Sequence, residues 1–359
     1  MRPALPKWTV LIPIASLVLA AAAFLWPGQP IPLVAATAAL IGSVLASVHH
    51  AEVVAHRVGE PFGTLILAVA VTVIEVALIV SMMLAGGPDK SALPRDTIFS
   101  SIMIICNGAV GLCVLLGGLK HHEQTFRLEG ATSALAALIA LATLSLVLPA
   151  FTTSTPGATY STTQLAFAGV ASLVLWAMFV FVQTVRHRDY FLPPGNAADE
   201  SIHAPPPTSA HAWASFALLL AALVAVIGLA KALSPSIERA LAGAGAPPSI
   251  IGIVIALLVL LPETGAAVRA ARADRLQTSL NLALGPAMAS IGLTIPAVAL
   301  ASVTLGLPLQ LGLSPKDLVL LALTFAVGAI TLGTGRTNVL QGVVHLVIFE
   351  AFLFLSLVP

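Results

Sequence analysis

Charge is what this sequence has least of. Lysine, arginine, aspartate and glutamate supply 9% of its 359 residues, where soluble domains carry about 25%. The formal net charge is +1 and no basic tract is present, which argues against a nucleic-acid partner. Cysteine is nearly absent too. Cys106 and Cys113 lie seven apart in one apolar run and form no CxxC pattern, so they read as small core residues rather than a redox or zinc site. There is also no GxSxG, no HExxH and no Cys/His cluster. A membrane-embedded enzyme would want such a nucleophile or zinc set, so neither an enzyme nor a cofactor is expected.

What is abundant is hydrophobicity: 58% of residues, with a mean hydropathy of +1.02. The composition is that of an all-α polytopic protein whose partner is the lipid bilayer. Windows of about 19 residues give eleven spans: Trp8–Trp26, Ile31–Ala55, Phe62–Leu84, Thr97–Leu119, Ala131–Ala150, Thr163–Val185, His211–Leu233, Ser249–Val268, Leu276–Val303, Lys316–Leu332 and Val339–Leu357. Each can cross about 30 Å of hydrocarbon. Arg2 and Lys7 before the first run resemble a signal peptide, but WPGQP follows in place of a small-residue cleavage site, so the run is read as a span.

With the N-terminus inside, eleven lysines and arginines fall on the inner side and five on the outer. That satisfies the positive-inside rule and places the N-terminus in the cytoplasm and the C-terminus outside. The hydrophilic stretch Arg186–His211, rich in Pro and mixed charge, reads as a cytoplasmic linker with little structure of its own. The chain then divides into a leading span (1–30), five spans (31–185), the linker (186–210) and five more spans (211–359). An odd number of spans per unit forces two copies of one unit into opposite orientations, as in inverted-repeat transporters.

Two acids strengthen that reading. Glu75 sits mid-span in AVAVTVIEVALIVSMML, interrupted across its span only by Thr64, Thr72 and Ser81. A carboxylate at that depth costs roughly 2.5–3.5 kcal/mol on insertion scales and is a functional site by default. Glu263, in IGIVIALLVLLPETGAAVRAARADR, occupies the matching second span of the second unit. Pro262 before it cannot donate a backbone hydrogen bond, so a helix break is expected there, with carbonyls released as cation ligands. Gly59, Gly63, Gly252 and Gly265 permit close helix approach around such a centre.

Paired carboxylates suit a hard divalent cation, and Ca²⁺ takes about six to eight oxygens. In low dielectric two like charges do not both stay ionised, so the pair holds either a metal or protons. That exclusion is the chemistry of an antiporter. Elsewhere, His49, His50, Glu52, His56 and Arg57 cluster at the end of span two. They read as a solvated helix end, with proton entry or pH sensing as the functional alternative. Glu60 belongs to the following turn. His121, His122 and Glu123 read as solvated, and His345 and Glu350, five apart, as packing or peripheral contacts.

The run EVVAHRVGEPFGTLILAVAVTVIEVALIVSMML and its partner IGIVIALLVLLPETGAAVRAARADRLQTSLNLALGPAMASIGL resemble the two signature repeats of the calcium/cation antiporter superfamily, nearest its bacterial ChaA-type calcium/proton branch. The resemblance implies an eleven-helix fold with two inverted five-helix repeats, alternating access, and Glu75 and Glu263 as the paired ion- and proton-binding acids. It also implies polar ligands nearby. Thr72 and Leu260 stand where many members have asparagine three residues before each glutamate. In the spans that follow, this chain offers Asn107 in the first half and Ser290 in the second. Fewer side-chain oxygens leave more of a Ca²⁺ shell to carbonyls and water, so exchange of Na⁺ or K⁺ for H⁺ is the alternative, with a cation channel behind it.

Overall fold

The structure is a computed structural model of the chain. It describes residues 6–25, 33–59, 62–192, 207–243, 245 and 247–358. The Glu60 turn, the WPGQP segment and residues 193–206 of the linker lie outside the described residues. Eleven helices are described, in the order of the eleven expected spans: α1 (Lys7–Leu25), α2 (Leu33–Val58), α3 (Phe62–Gly86), α4 (Leu93–His121), α5 (Leu128–Ala150), α6 (Thr162–Arg186), α7 (Ser209–Gly243), α8 (Ile250–Arg272), α9 (Leu276–Leu305), α10 (Pro315–Leu332) and α11 (Val339–Leu357). Ten of them, α2 to α11, are long and apolar enough to cross a membrane, and the described stretch of α1 is shorter. This is an integral membrane protein.

Local chemistry sets several boundaries. Ser161 and Gln164 form a capping box at α6, and Asn338 and Gln341 form another at α11, satisfying amides that have no intrahelical partner. Prolines sit inside several helices. The helix expected to stop at Leu233 continues through Pro235 to Gly243, and α9 runs through both Pro286 and Pro296. Where neighbouring helices can satisfy the freed carbonyls, a transmembrane helix tolerates proline.

The chain packs as two compact units that cut across the order of the sequence. The first unit holds α1, α2, α3 and α7. Within it, α2 and α7 pack most extensively on each other, and Ala51 of α2, Ala70 of α3 and Leu219 of α7 meet in a small apolar core. On α2, Gly42 leaves the room that Ile12 of α1 occupies: a Cβ there would lie 2.9 Å from the isoleucine side chain.

The second unit holds α4, α5, α6 and α8 to α11, with one continuous apolar core. α4 is the most enclosed helix described, with 72% of its apolar window buried. Its middle turn, Ile104–Ala109, is π-helical. Glycines seat it against its neighbours. A Cβ on Gly342 of α11 would lie 2.5 Å from the Leu115 backbone nitrogen, and one on Gly111 would lie 2.9 Å from His345 Cβ. Small residues at a membrane helix interface allow this approach.

Two short strands, β1 (Gln124–Thr125) and β2 (Arg336–Thr337), pair antiparallel with Gln124 opposite Thr337. The linker is ordered where it begins, contrary to the expectation. Arg188–Phe191 forms a 3₁₀ turn, Phe191 is buried against Phe179 at 5.9 Å between ring centres, and its carbonyl accepts from Asn281 Nδ2 at 2.6 Å. The apolar Phe191 side chain, set among polar and proline residues, makes the difference.

Candidate cation site

In the first unit Glu75 is buried, with 1% of its surface exposed. It is thirteen residues beyond Phe62, the first residue of α3, and eleven before Gly86, the last. Thr72, one turn earlier, is also buried, and its hydroxyl makes no hydrogen bond in the structure. The Ala51–Ala70–Leu219 contact fixes which part of α2 faces this level. One turn back from Ala51 on α2 is Ser47, and Glu75 is five residues on from Ala70 on the antiparallel α3, so the two advance in the same direction along the unit. Ser43 and Ser47 are both buried, the latter donating to Val44 O at 2.7 Å.

The histidine cluster on α2 divides. His56, Arg57 and Glu52 are exposed, as a solvated helix end requires. His50 is not solvated: it is fully buried, and its Nε2 lies 2.8 Å from the Thr9 carbonyl of α1. His49 lies between two rings, tilted against Trp8 at 5.9 Å and edge-on to His50 at 5.7 Å. The reason is tertiary: the first turn of α1 covers this part of α2. In the second unit, Glu123 pairs with Arg336 at 3.4 Å and His121 lies 3.1 Å from the Arg272 carbonyl. Cys106 and Cys113 are buried and unbridged.

In the second unit Glu263 is half-buried on α8, thirteen residues beyond Ile250, the first of its helix. The break expected at Pro262 does not occur: α8 is helical from Ile250 to Arg272. Pro262 removes one backbone donor, that to Leu258 O, without opening the helix. The packing of α8 on α4 sets the height of Glu263. A Cβ on Gly252 would lie 2.8 Å from the Asp96 carbonyl carbon, and one on Gly117 would lie 3.5 Å from Ala271 O, so the two helices run in the same direction. Asn107 is eleven residues on from Asp96, and Glu263 is eleven on from Gly252. At about 1.5 Å rise per residue, Asn107 and Glu263 stand at the same height.

Asn107 lies in the π-helical turn of α4, which packs against α8. It is fully buried. Thr324 of α10 donates to its own helix at Leu320 O, 2.8 Å away, so its oxygen accepts from Asn107 Nδ2 at 2.8 Å. The Asn107 Oδ1 therefore faces His345 of α11 and accepts from Nδ1–H at 3.0 Å. With Nδ1 protonated, the other ring nitrogen accepts from the Thr331 hydroxyl, also at 3.0 Å. His345 is 1% exposed, while Glu350 on the same helix is exposed. Ser290 is 5% exposed on α9, in the fifteenth place of its helix, the place Asn107 has in α4. The expectation for His345 was packing or a peripheral polar contact; it is buried, and its polar contacts are interior, to α4 and α10. The signal in the sequence is an imidazole within an apolar span.

Among the described residues no three His, Cys, Asp or Glu side chains come together to hold a metal. Carboxylate, amide, hydroxyl and carbonyl oxygens are hard donors of the kind that Ca²⁺ and alkali cations take, whereas zinc takes thiolate and imidazole.

The sodium/calcium exchanger protein family matches this chain over residues 29–185 and 214–358. The chain belongs to that family. It is accordingly a transporter and not an enzyme. The sodium-potassium/proton antiporter ChaA of Escherichia coli (strain K12) is 36% identical over 354 residues, covering 96% of this exchanger and 94% of ChaA. The protein y4hA of Sinorhizobium fredii (strain NBRC 101917 / NGR234), named for ion transport without a stated ion, is 50% identical over 99% of this chain and 97% of its own. Among solved structures, the Ca²⁺/H⁺ antiporter protein YfkE superposes with a TM-score of 0.69 at 14% identity, covering 98% of this chain and 99% of that one. At that identity the likeness speaks for the exchanger fold.

Proposed function

We propose that this exchanger expels Ca²⁺ in exchange for H⁺ by alternating access, each of two inverted five-helix repeats contributing one ion-binding glutamate. The observation that carries the reading is positional. Glu75 and Glu263 are each the fourteenth residue of their helices, and those helices are the second of each five-helix group. Two further facts support the duplication: the family match falls in two segments, 29–185 and 214–358, and Asn107 and Ser290 share one place in the helices that follow. Thr72, Asn107 and Ser290 then supply neutral oxygens. When the cation leaves, protons take its place on the carboxylates, because ionised acids at that depth are too costly to leave bare. His49, His50, Glu52 and His56 line the cytoplasmic end of α2, where protons enter. The positive-inside count puts the N-terminus in the cytoplasm and the protein in a bacterial plasma membrane.

The test is exchange in everted vesicles energised by respiration. Ca²⁺ should collapse the pH gradient, and Glu75→Gln or Glu263→Gln should abolish the response. Full exchange surviving both substitutions overturns the proposal. The name of the 36% identical relative favours a second reading, Na⁺ or K⁺ for H⁺ on the same acids. Driving the same vesicles with Na⁺ or K⁺ in place of Ca²⁺ separates the two.

A further inference from the structure

We propose that His345 is a positioning residue for the transported cation, acting through Asn107. The inference rests on the cation site proposed above and adds to it a part that lies outside both glutamate-centred segments. Asn107 is at the height of Glu263, but an asparagine in a buried π-turn has two orientations, one offering oxygen and one offering NH₂. Only the first can ligate a cation. The structure shows what selects it. Thr324 Oγ1 has two acceptors for its one proton, Leu320 O at 2.8 Å and Met103 Sδ at 3.3 Å, so towards the amide it accepts, and takes Nδ2 at 2.8 Å. His345 Nδ1–H donates to the opposite end at 3.0 Å. The Thr331 hydroxyl, 3.0 Å from Nε2, holds the ring in the tautomer that can do so.

Each of these partners sits on α10 or α11. All are nearly inaccessible: Thr324 1%, Thr331 1% and His345 1% exposed. A buried polar chain is destabilising if any member is unsatisfied, so a span that needed only packing would do better with leucine. One lone pair of Asn107 Oδ1 is taken by His345, and an amide oxygen has two. The second remains for the ion. The arrangement has the logic of an outer ligand shell, in which hydrogen-bonded partners fix the orientation and polarise the donor that touches the cation. The close seat of α11 on α4, made by Gly111 and Gly342, is what delivers the imidazole to the π-turn.

The test separates orientation from bulk structure by using two amides of different reach. In His345→Asn the side-chain NH₂ stands where Nδ1 stands, keeping the bond to Asn107 and losing Thr331. In His345→Gln the amide reaches the Nε2 position, keeping Thr331 and losing Asn107. Full-length protein in proteoliposomes is assayed for the Ca²⁺ concentration that half-saturates exchange, and for maximal rate. His345→Leu and His345→Gln should raise the half-saturating Ca²⁺ by about 10- to 100-fold, with a smaller change in maximal rate. His345→Asn should restore most of the affinity. Asn107→Ala combined with His345→Leu should cost no more than Asn107→Ala alone, because residues acting through one contact are not additive. The proposal fails if Asn and Gln substitutions behave alike, or if every variant changes maximal rate at constant half-saturation. Should the His345 variants not fold, Thr324→Val, which leaves the amide free to flip, must show the same loss of affinity, and wild-type affinity there also sinks it. Loss of all exchange in Glu263→Gln with unchanged affinity in the His345 series would leave the carboxylate reading intact and remove only this one.

Discussion

His345 Nδ1 lies 3.0 Å from Asn107 Oδ1, tying the last helix of the chain to the π-helical turn of α4 across 238 residues of sequence. Through Thr324 and Thr331 that bond becomes a network linking α4, α10 and α11. Its members are all buried, so its integrity is a matter of stability.

Asn107→Leu should therefore destabilise the protein even where exchange is not measured. It leaves His345 and Thr324 buried without their partner, at about 1–3 kcal/mol for each group stranded. Thermal unfolding in detergent should show a lower midpoint for Asn107→Leu than for Asn107→Asp or Asn107→Ser. An unchanged midpoint would mean that the network does not form.

Gly342→Val should be more damaging than its chemistry suggests. The first added carbon would lie 2.5 Å from the Leu115 backbone nitrogen, and backbone cannot step aside as a side chain can. Overpacking typically costs about 1–3 kcal/mol. The readout is the yield of monodisperse protein and its thermal midpoint, with Gly285→Ala, where nothing lies within 4 Å of the new carbon, as the neutral control.

Gln124 holds a junction at the C-terminal ends of α4 and α8. Its Nε2 donates to Ala271 O at 2.9 Å and to Asp274 Oδ1 at 2.8 Å. Gln124→Leu should cost about 1–3 kcal/mol through the lost bonds. Amide hydrogen exchange over residues 271–277 should speed up, while a tenfold excess of Ca²⁺ over its half-saturating level should leave the exchange of protons for Ca²⁺ near the wild-type rate.

Tyr160 lies between helices, outside the spans, and donates to Leu144 O at 2.6 Å. Burial pushes its phenol above the ordinary value near 10. A raised acid pKa in the folded state means that the protonated form is the one the fold favours. Stability from this group is whole below pH 10 and falls as pH rises through the folded value. Ultraviolet titration should show a tyrosine step above the ordinary range, and Tyr160→Phe should remove that step.

Much of this protein is legible in its sequence because the bilayer leaves few choices. A run such as Val339–Leu357 must be helical, since a chain in hydrocarbon has to satisfy its own backbone. Order, number and approximate limits of the helices followed from that. Proline misled where it was taken as punctuation: Pro235 and Pro262 sit inside intact helices, because neighbouring chain can absorb one lost hydrogen bond. Histidine misled in the other direction. His50 and His345 were judged by what adjoins them in sequence, whereas their partners, Thr9 and Asn107, are 41 and 238 residues away.

The amino-acid order alone determined that Glu75 and Glu263 are spaced alike in two like stretches, since period and hydropathy are local properties that survive in a string of letters. Only the folded chain decided that the first turn of α1 covers His50 and that Asn107 meets Thr324 and His345. Those depend on where glycines let helices touch, and contact between distant segments leaves no periodic trace.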